Sequence, residues 1–354
     1  MLVSYELTIE PLGATIEVEE GQPMLDAALR AGIYIPHACC HGLCGTCKVE
    51  VLEGEIEHGE ASSFALMDFE RDEGKTLACC ATMESDVVIE ADVDEEPDAE
   101  VIPVKDFPGK ISRIETLTPT IKGIWIELDD PIHFQAGQYV TVNIPTLDIG
   151  RPFSIAGAPS GSRKAIELNV RIVPGGPGTT YLHEKLKVGD PVMISGPYGR
   201  FFVRKSANVP IVFMAGGSGL SSPRSMMLDL LESDSELPIT LVYGQRTREE
   251  LYYHDEFLAL AEAHSNFSYV PALSDEPEGT DWQGFRGYVH EAAKAHFDND
   301  FRDRKAYLCG PPKMIDACIT TLMQGRLFER DIYTEKFLSA ADAQQTRSPL
   351  FKAI

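Results

Sequence analysis

Pro36-His37-Ala38-Cys39-Cys40-His41-Gly42-Leu43-Cys44-Gly45-Thr46-Cys47 is the stretch whose reading decides the rest. Counted from Cys39 it has the form C-x4-C-x2-C, and Cys79-Cys80 offers a further thiol well downstream. Three thiolates from one loop and a fourth from afar are the spacing that holds a [2Fe–2S] cluster. Cys39 alone gives the four-residue spacing, so Cys39, Cys44 and Cys47 are candidate ligands, with Cys79 or Cys80 as the fourth. Gly42 and Gly45 fit the same reading, because a loop wrapping a cluster needs positive φ and bare backbone N–H groups near the sulfurs. A structural zinc site wants a second C-x2-C or a histidine pair, and neither follows Cys47. A disulfide framework does not suit a chain of this length whose start lacks a basic region followed by an apolar one. His37 and His41 do not have the pairing that a histidine-ligated cluster requires, and are expected as surface loop residues.

Around this loop the chain reads as a small α+β unit. Strands are expected over 5–10 and 14–18, joined by a turn at Pro11-Leu12-Gly13, with a helix over 24–31 stopped by Gly32. Residues 48–52 and 55–57 flank Glu53-Gly54 as a second hairpin, a short helix begins near Ser62-Ser63, and 87–91 forms a closing strand. Residues 1–92 are therefore the first domain. Residues 93–103, acidic and without apolar periodicity, form a linker.

From 104 to 206 short strands with turn residues between them predict an antiparallel β-barrel, interrupted by one helix over 180–186. From 207 to 354 strands and helices alternate, which predicts a doubly wound α/β domain with a parallel sheet. The 354 residues carry 55 acidic and 31 basic side chains, a net charge of −24. Residues 1–100 hold 24 of the acids against 4 basic residues. That field disfavours nucleic acid and suits docking on a basic surface. No window approaches the length of a membrane span. Thiols kept for a cluster point to a reducing cytoplasm.

Three further motifs carry chemistry. Gly216-Gly217-Ser218-Gly219 follows the first strand of the α/β domain, where a pyrophosphate can approach the backbone at a helix N-terminus. It lacks the third glycine of the G-x-G-x-x-G fingerprint and the acid expected about 20 residues on, which argues against a plain dinucleotide dehydrogenase. Arg151-Pro152-Phe153-Ser154 opens a barrel strand with a guanidinium able to pair with phosphate and a ring able to pack on another. Gly175-Gly176-Pro177-Gly178-Thr179-Thr180 offers a second anion site, and Cys309-Gly310-Pro311-Pro312 ends a parallel strand where ligands bind in such sheets.

Together these motifs resemble the oxygenase reductases, ferredoxin–NADP reductase-like enzymes with a plant-type, β-grasp-like ferredoxin domain fused at the N-terminus. The resemblance covers nearly the whole chain and is nearest to the reductase components of multicomponent phenol hydroxylases, whose partner is a di-iron hydroxylase. Through the distal Leu77-Ala78-Cys79 it implies Cys79 as the fourth ligand. It implies Arg151, Gly178 and Thr179 on the pyrophosphate of FAD, Phe153 against the flavin, and Ser154 near flavin N5. Gly216, Gly217, Ser218 and Gly219 would receive NADH, with Cys309, Gly310 and Pro311 by the nicotinamide and Ser154 and Cys309 as catalytic residues. Phe337, in Tyr333-Thr334-Glu335-Lys336-Phe337, would cover the flavin face. The expected activity passes electrons from NADH to FAD, to the cluster and to an oxygenase docked on the acidic ferredoxin domain. A reductase for a Rieske-type dioxygenase is the near alternative, and a zinc-containing binding protein without redox activity is the distant one.

Overall fold

The computed structural model describes residues 3–336, apart from Cys39, Asp94, Glu95, Thr146, Asp148, Ile149 and Ser162. One compact unit ends at Lys105 and a second begins at Asp106.

In the first unit β1 (Ser4–Glu10) and β2 (Ala14–Glu19) form the expected hairpin, and β1 also pairs in parallel with β7 (Val87–Glu90). The sheet runs β2-β1-β7-β3-β5, with β3 at Lys48–Glu53 and β5 at Lys75–Leu77. Alternation along β1 buries Leu7 and Ile9, and α1 (Met24–Arg30) buries Met24, Leu25, Ala28 and Leu29. Pro103 and Val101 lie over Gly32 just past this helix, and Val104 N–H donates to the Leu29 carbonyl at 3.1 Å.

Two local expectations fail here. β4 (Ile56–Glu57) does not pair back on β3 but with β6 (Thr82–Met83). Gly54, at φ +99°, turns the chain so tightly that a Cβ would lie 2.2 Å from the Asp86 carbonyl. The helix expected near Ser62 instead begins at Asp68 as α2 (Asp68–Asp72), where the Glu70 carboxylate accepts from Met67 N–H at 2.9 Å. Ser62 caps only a turn, its carbonyl accepting from Ala65 and Leu66 N–H.

The second unit opens with six antiparallel strands: β8 (Lys105–Thr116), β9 (Ile121–Leu128), β10 (Tyr139–Val142), β11 (Arg151–Ser154), β12 (Ala165–Arg171) and β13 (Pro191–Tyr198). Their order is β11-β10-β13-β8-β9-β12, and a bridge between Ile155 and Leu168 brings the two edges together as a barrel. Ile124, Ile126, Val140, Val142, Leu168 and Ile194 fill it. The barrel's helix, α3 (Pro177–Glu184), starts three residues before the expected position. Pro177 at its first turn explains the shift, since proline's fixed φ suits N1. Gly178 and Thr179 thereby belong to the first turn of a helix.

A parallel sheet follows, ordered β17-β16-β15-β14-β18-β19. Its strands are β14 (Ile211–Gly216), β15 (Ile239–Gln245), β16 (Phe267–Leu273), β17 (Phe285–Arg286), β18 (Lys305–Gly310) and β19 (Ile332–Lys336). The two-residue β17 was not foreseen. Phe213 and Ala215 of β14 face a core with α4 (Ser221–Glu232) and α5 (His254–Ala263). Val212 and Met214 face the opposite core, with α6 (Val289–His296) and α7 (Pro312–Gln324). Covered on both faces, β14 is apolar without alternation. Strand order reverses between β14 and β18, which makes the carboxyl ends of these two strands the place where ligands bind. No helix among the described residues is long and apolar enough to cross a membrane.

Candidate functional site

In the first unit the loop and the distal cysteine segment are brought together by backbone bonds. Ala78 N–H donates to the Cys47 carbonyl at 2.9 Å, and Leu25 N–H of α1 donates to the Ala78 carbonyl at 2.9 Å. Cys47 is buried and Cys44 is exposed, so the thiols span the loop from interior to surface. The Cys79 thiol held against it, and then burial, push the Cys47 thiol far above its ordinary pKa. A buried thiol that resists ionising suits a strongly cationic group, which offsets both effects. Gly42 at φ +70° passes so close to Glu60 and Cys80 that a Cβ would lie 2.7 Å from the Glu60 carbonyl and 2.8 Å from Cys80 Sγ. The donor set Cys44, Cys47 and Cys79 fits a [2Fe–2S] cluster; Cys39, the remaining expected ligand, lies outside the described residues. Among the described residues no three ligands close round a single ion. His41 is exposed as expected. His37 is not: it is buried, with Nδ1 2.8 Å from the Ile35 carbonyl. That bond satisfies one ring nitrogen of the enclosed imidazole.

In the second unit Arg151 and Gly178 are neighbours. A Cβ on Gly178 would lie 3.1 Å from Arg151 Cγ, so the missing side chain leaves the guanidinium stem room beside the first turn of α3. Thr179 Oγ1 accepts from Val173 N–H at 3.0 Å and fixes that turn. A cation next to the unsatisfied N–H groups of a helix start fits a pyrophosphate. Phe153 is half-buried against the barrel core, as an aromatic with one face left to a ligand would be. Ser154, next along β11, is buried.

The Gly216–Gly219 loop and the end of β18 also meet. A Cβ on Gly219 would strike the Cys309 carbonyl at 2.5 Å, one on Gly310 would lie 3.1 Å from the Gly216 carbonyl, and Gly217 holds φ +61°. Ser218 carbonyl accepts from Ser221 Oγ at 3.1 Å, which leads the loop into α4. Pro311 is exposed and precedes α7. Chain segments this close, with their backbone bare, fit the approach of a phosphate.

Between β11 and this loop lies a residue that reading the sequence missed. Glu335 Oε2 accepts from Ser222 Oγ at 2.6 Å, from Ser154 Oγ at 3.3 Å and from Cys309 Sγ at 3.5 Å. Burial raises the Glu335 pKa, and the Ser222, Cys309 and Ser154 hydrogen bonds pull it back only in part. Ser154 and Cys309, expected as a pair, are thus joined through a third group. Its only signal in the sequence is a carboxylate inside the Tyr333-Thr334-Glu335-Lys336 strand. Phe337 lies outside the described residues.

A cysteine-lined loop, a barrel with an Arg-flanked anion site and a parallel-sheet nucleotide lobe define an iron–sulfur flavoprotein oxidoreductase. Family models agree in the same order: a 2Fe-2S iron–sulfur cluster binding domain over 7–84, an oxidoreductase FAD-binding domain over 108–203 and an oxidoreductase NAD-binding domain over 213–319. The chain is 59% identical over 354 residues to the phenol 2-monooxygenase reductase component DmpP of Pseudomonas sp. (strain CF600), covering 99% of this chain and 100% of that one. It is 57% identical to the phenol hydroxylase P5 protein of Acinetobacter pittii (strain PHEA-2), with the same coverage. Among solved structures, the Amycolatopsis cytochrome P450 reductase GcoB matches with a TM-score of 0.86 and 32% identity, covering 94% of this chain and 98% of that one. The chain belongs to the family of oxygenase reductase components that carry a 2Fe-2S domain ahead of FAD-binding and NAD-binding domains.

Proposed function

We propose that the chain is the NADH-dependent reductase component of a multicomponent phenol hydroxylase, working in the cytoplasm beside a di-iron oxygenase component. The observation that carries this reading is the full-length likeness to two phenol hydroxylase proteins, at 59% and 57% identity. When bound, FAD would supply two-electron chemistry, taking a single hydride from NADH, and the cluster one-electron transfer; the residues of this chain hold, orient and tune these groups.

The roles assigned to individual residues are as follows. Cys39, Cys44, Cys47 and Cys79 hold the cluster. Arg151 and the first turn of α3 at Gly178 and Thr179 hold the flavin pyrophosphate, and Phe153 packs on the flavin. Ser154 and Cys309 present a hydroxyl and a thiol where flavin and nicotinamide meet, and Glu335 orders both. Gly216, Gly217, Ser218, Gly219, Gly310 and Pro311 receive the dinucleotide. Residues 1–92, 104–206 and 207–354 are the three domains, joined by a linker over 93–103.

NADH is favoured over NADPH by the charges after β15. Arg246 Nε donates to Asp275 Oδ2 at 2.8 Å, and Arg248 lies 2.9 Å from Asp281. Guanidinium groups already paired with carboxylates have little left for a 2′-phosphate, and a second anion there meets the carboxylates. The partner binds the ferredoxin domain, whose excess of acids suits a basic docking face.

The test is reconstitution with the oxygenase component of a phenol hydroxylase. Phenol-dependent NADH oxidation coupled to dihydroxybenzene formation supports the reading. Coupling to a Rieske-type dioxygenase and not to a phenol hydroxylase would contradict it.

A further inference from the structure

The flavin strand and the nucleotide lobe are fastened by one buried cation. Arg224, on the first turn of α4, is only 8% exposed. Its Nη1 donates to the Ala156 carbonyl at 2.8 Å, two residues beyond Ser154, and lies 3.2 Å from Glu167 Oε2 on β12. Nε and Nη2 each donate at 3.1 Å to the two oxygens of Glu256 on α5, a fork-to-fork pairing that fixes orientation as well as distance. Ser225 Oγ donates to the Gly157 carbonyl at 2.7 Å, while Ser222 three positions earlier reaches Glu335.

The partners are themselves held. Tyr253 OH donates to Glu167, and Asn169 Nδ2 donates to the same oxygen at 3.1 Å. The Tyr253 ring lies 4.1 Å beneath the Arg224 guanidinium, and its backbone sits at φ +58°. A bulky residue kept at positive φ is strained, and such strain persists where surrounding contacts over-determine it. Burial opposes the Arg224 charge, and Glu167 and Glu256 more than restore it.

One helix therefore begins at the dinucleotide loop and within five residues grips both ends of the reacting region. We propose that Arg224, locked by Glu167 and Glu256, is a positioning residue that sets how closely the bound dinucleotide approaches the flavin strand. This deepens the proposed function and rests on it. Arg224 touches neither the Gly216–Gly219 backbone nor the anion site at Arg151 in any bond described, so it governs approach and not affinity.

The test uses the full chain loaded with FAD and cluster, comparing wild type with Arg224→Met and Arg224→Lys. Turnover is read with NADH and ferricyanide per bound FAD, NAD+ affinity by calorimetry, and hydrogen exchange at the Ile155 and Ala156 amides. A misplacement of about 1 Å costs about 10²-fold in rate, so Arg224→Met is expected to lower kcat by about that factor. KM for NADH and the NAD+ dissociation constant stay unchanged, and both amides exchange faster. Arg224→Lys, which keeps the charge and loses the fork, falls between. Should Arg224→Met fail to fold, Glu256→Gln carries the same test with a smaller loss of kcat. A lower melting temperature with kcat per FAD unchanged, or a raised KM with kcat intact, overturns the positioning role alone. A wild-type chain unable to oxidise NADH overturns this role and the proposed function together.

Discussion

Ser222 Oγ donates to Glu335 Oε2 at 2.6 Å, joining the helix that leaves the Gly216–Gly219 loop to the last described strand, 113 residues away. The same carboxylate oxygen takes Ser154 from the barrel and Cys309 from β18. Three elements converge on one carboxyl group of a fourth, with no cation among the partners described for it.

That convergence sets a pH dependence. Burial raises the Glu335 pKa above its unfolded value, so its favourable contribution to stability is complete below the unfolded pKa, about 4.3. It is lost as pH rises through the folded pKa. Glu335→Gln removes the titration, so its melting temperature relative to wild type is expected to climb from pH 4 toward neutrality. Parallel melting curves across that range would contradict the assignment.

Cys44→Ser takes away one proposed cluster ligand from an exposed position of the loop. Altering a partner outside the ligand shell already costs roughly 10–100-fold in metal affinity, and loss of a ligand exceeds that. NADH-driven reduction of cytochrome c is expected to vanish while ferricyanide reduction by NADH and the FAD content persist. Loss of both activities in a folded variant would break the proposed order of the centres.

Arg151→Ala removes the cation beside the first turn of α3. A hydrogen bond to a charged group contributes about 1.5–3 kcal/mol, so FAD is expected to bind roughly 10–100-fold more weakly. Gly178→Val should act in the same direction, because its side chain occupies the space of the Arg151 stem. Flavin fluorescence during dialysis checks both.

Asp275→Ala frees Arg246 at the end of β15. The ratio of kcat/KM for NADPH to that for NADH is expected to rise about tenfold, equivalent to about 1.4 kcal/mol. An unchanged ratio would remove the electrostatic account of the NADH preference.

Much of this fold is legible along the sequence. The apolar run of β14 followed by Gly216-Gly217-Ser218-Gly219 announces a doubly buried strand and the tight turn after it, because both signals are local. The cluster loop is legible for the same reason. Local signals mislead where pairing is decided at a distance: Glu53-Gly54 is a turn, but the chain beyond it joins Thr82 and Met83. Arg224 and Glu335 were beyond reach. The partners of Arg224 lie 32, 57 and 68 residues away, and a buried charge looks like any surface arginine until those partners are placed. Glu335 shares that invisibility, since its chemistry comes only from the convergence of distant hydroxyls and a thiol.

The most direct measurement is an anaerobic NADH titration of the purified chain followed by visible absorption, with metal and flavin analysis. The account predicts one FAD and about two iron atoms per chain, with the flavin and cluster bands bleaching as NADH is added. A colourless protein containing zinc, or a flavin that bleaches while the cluster bands stay unchanged, would contradict it.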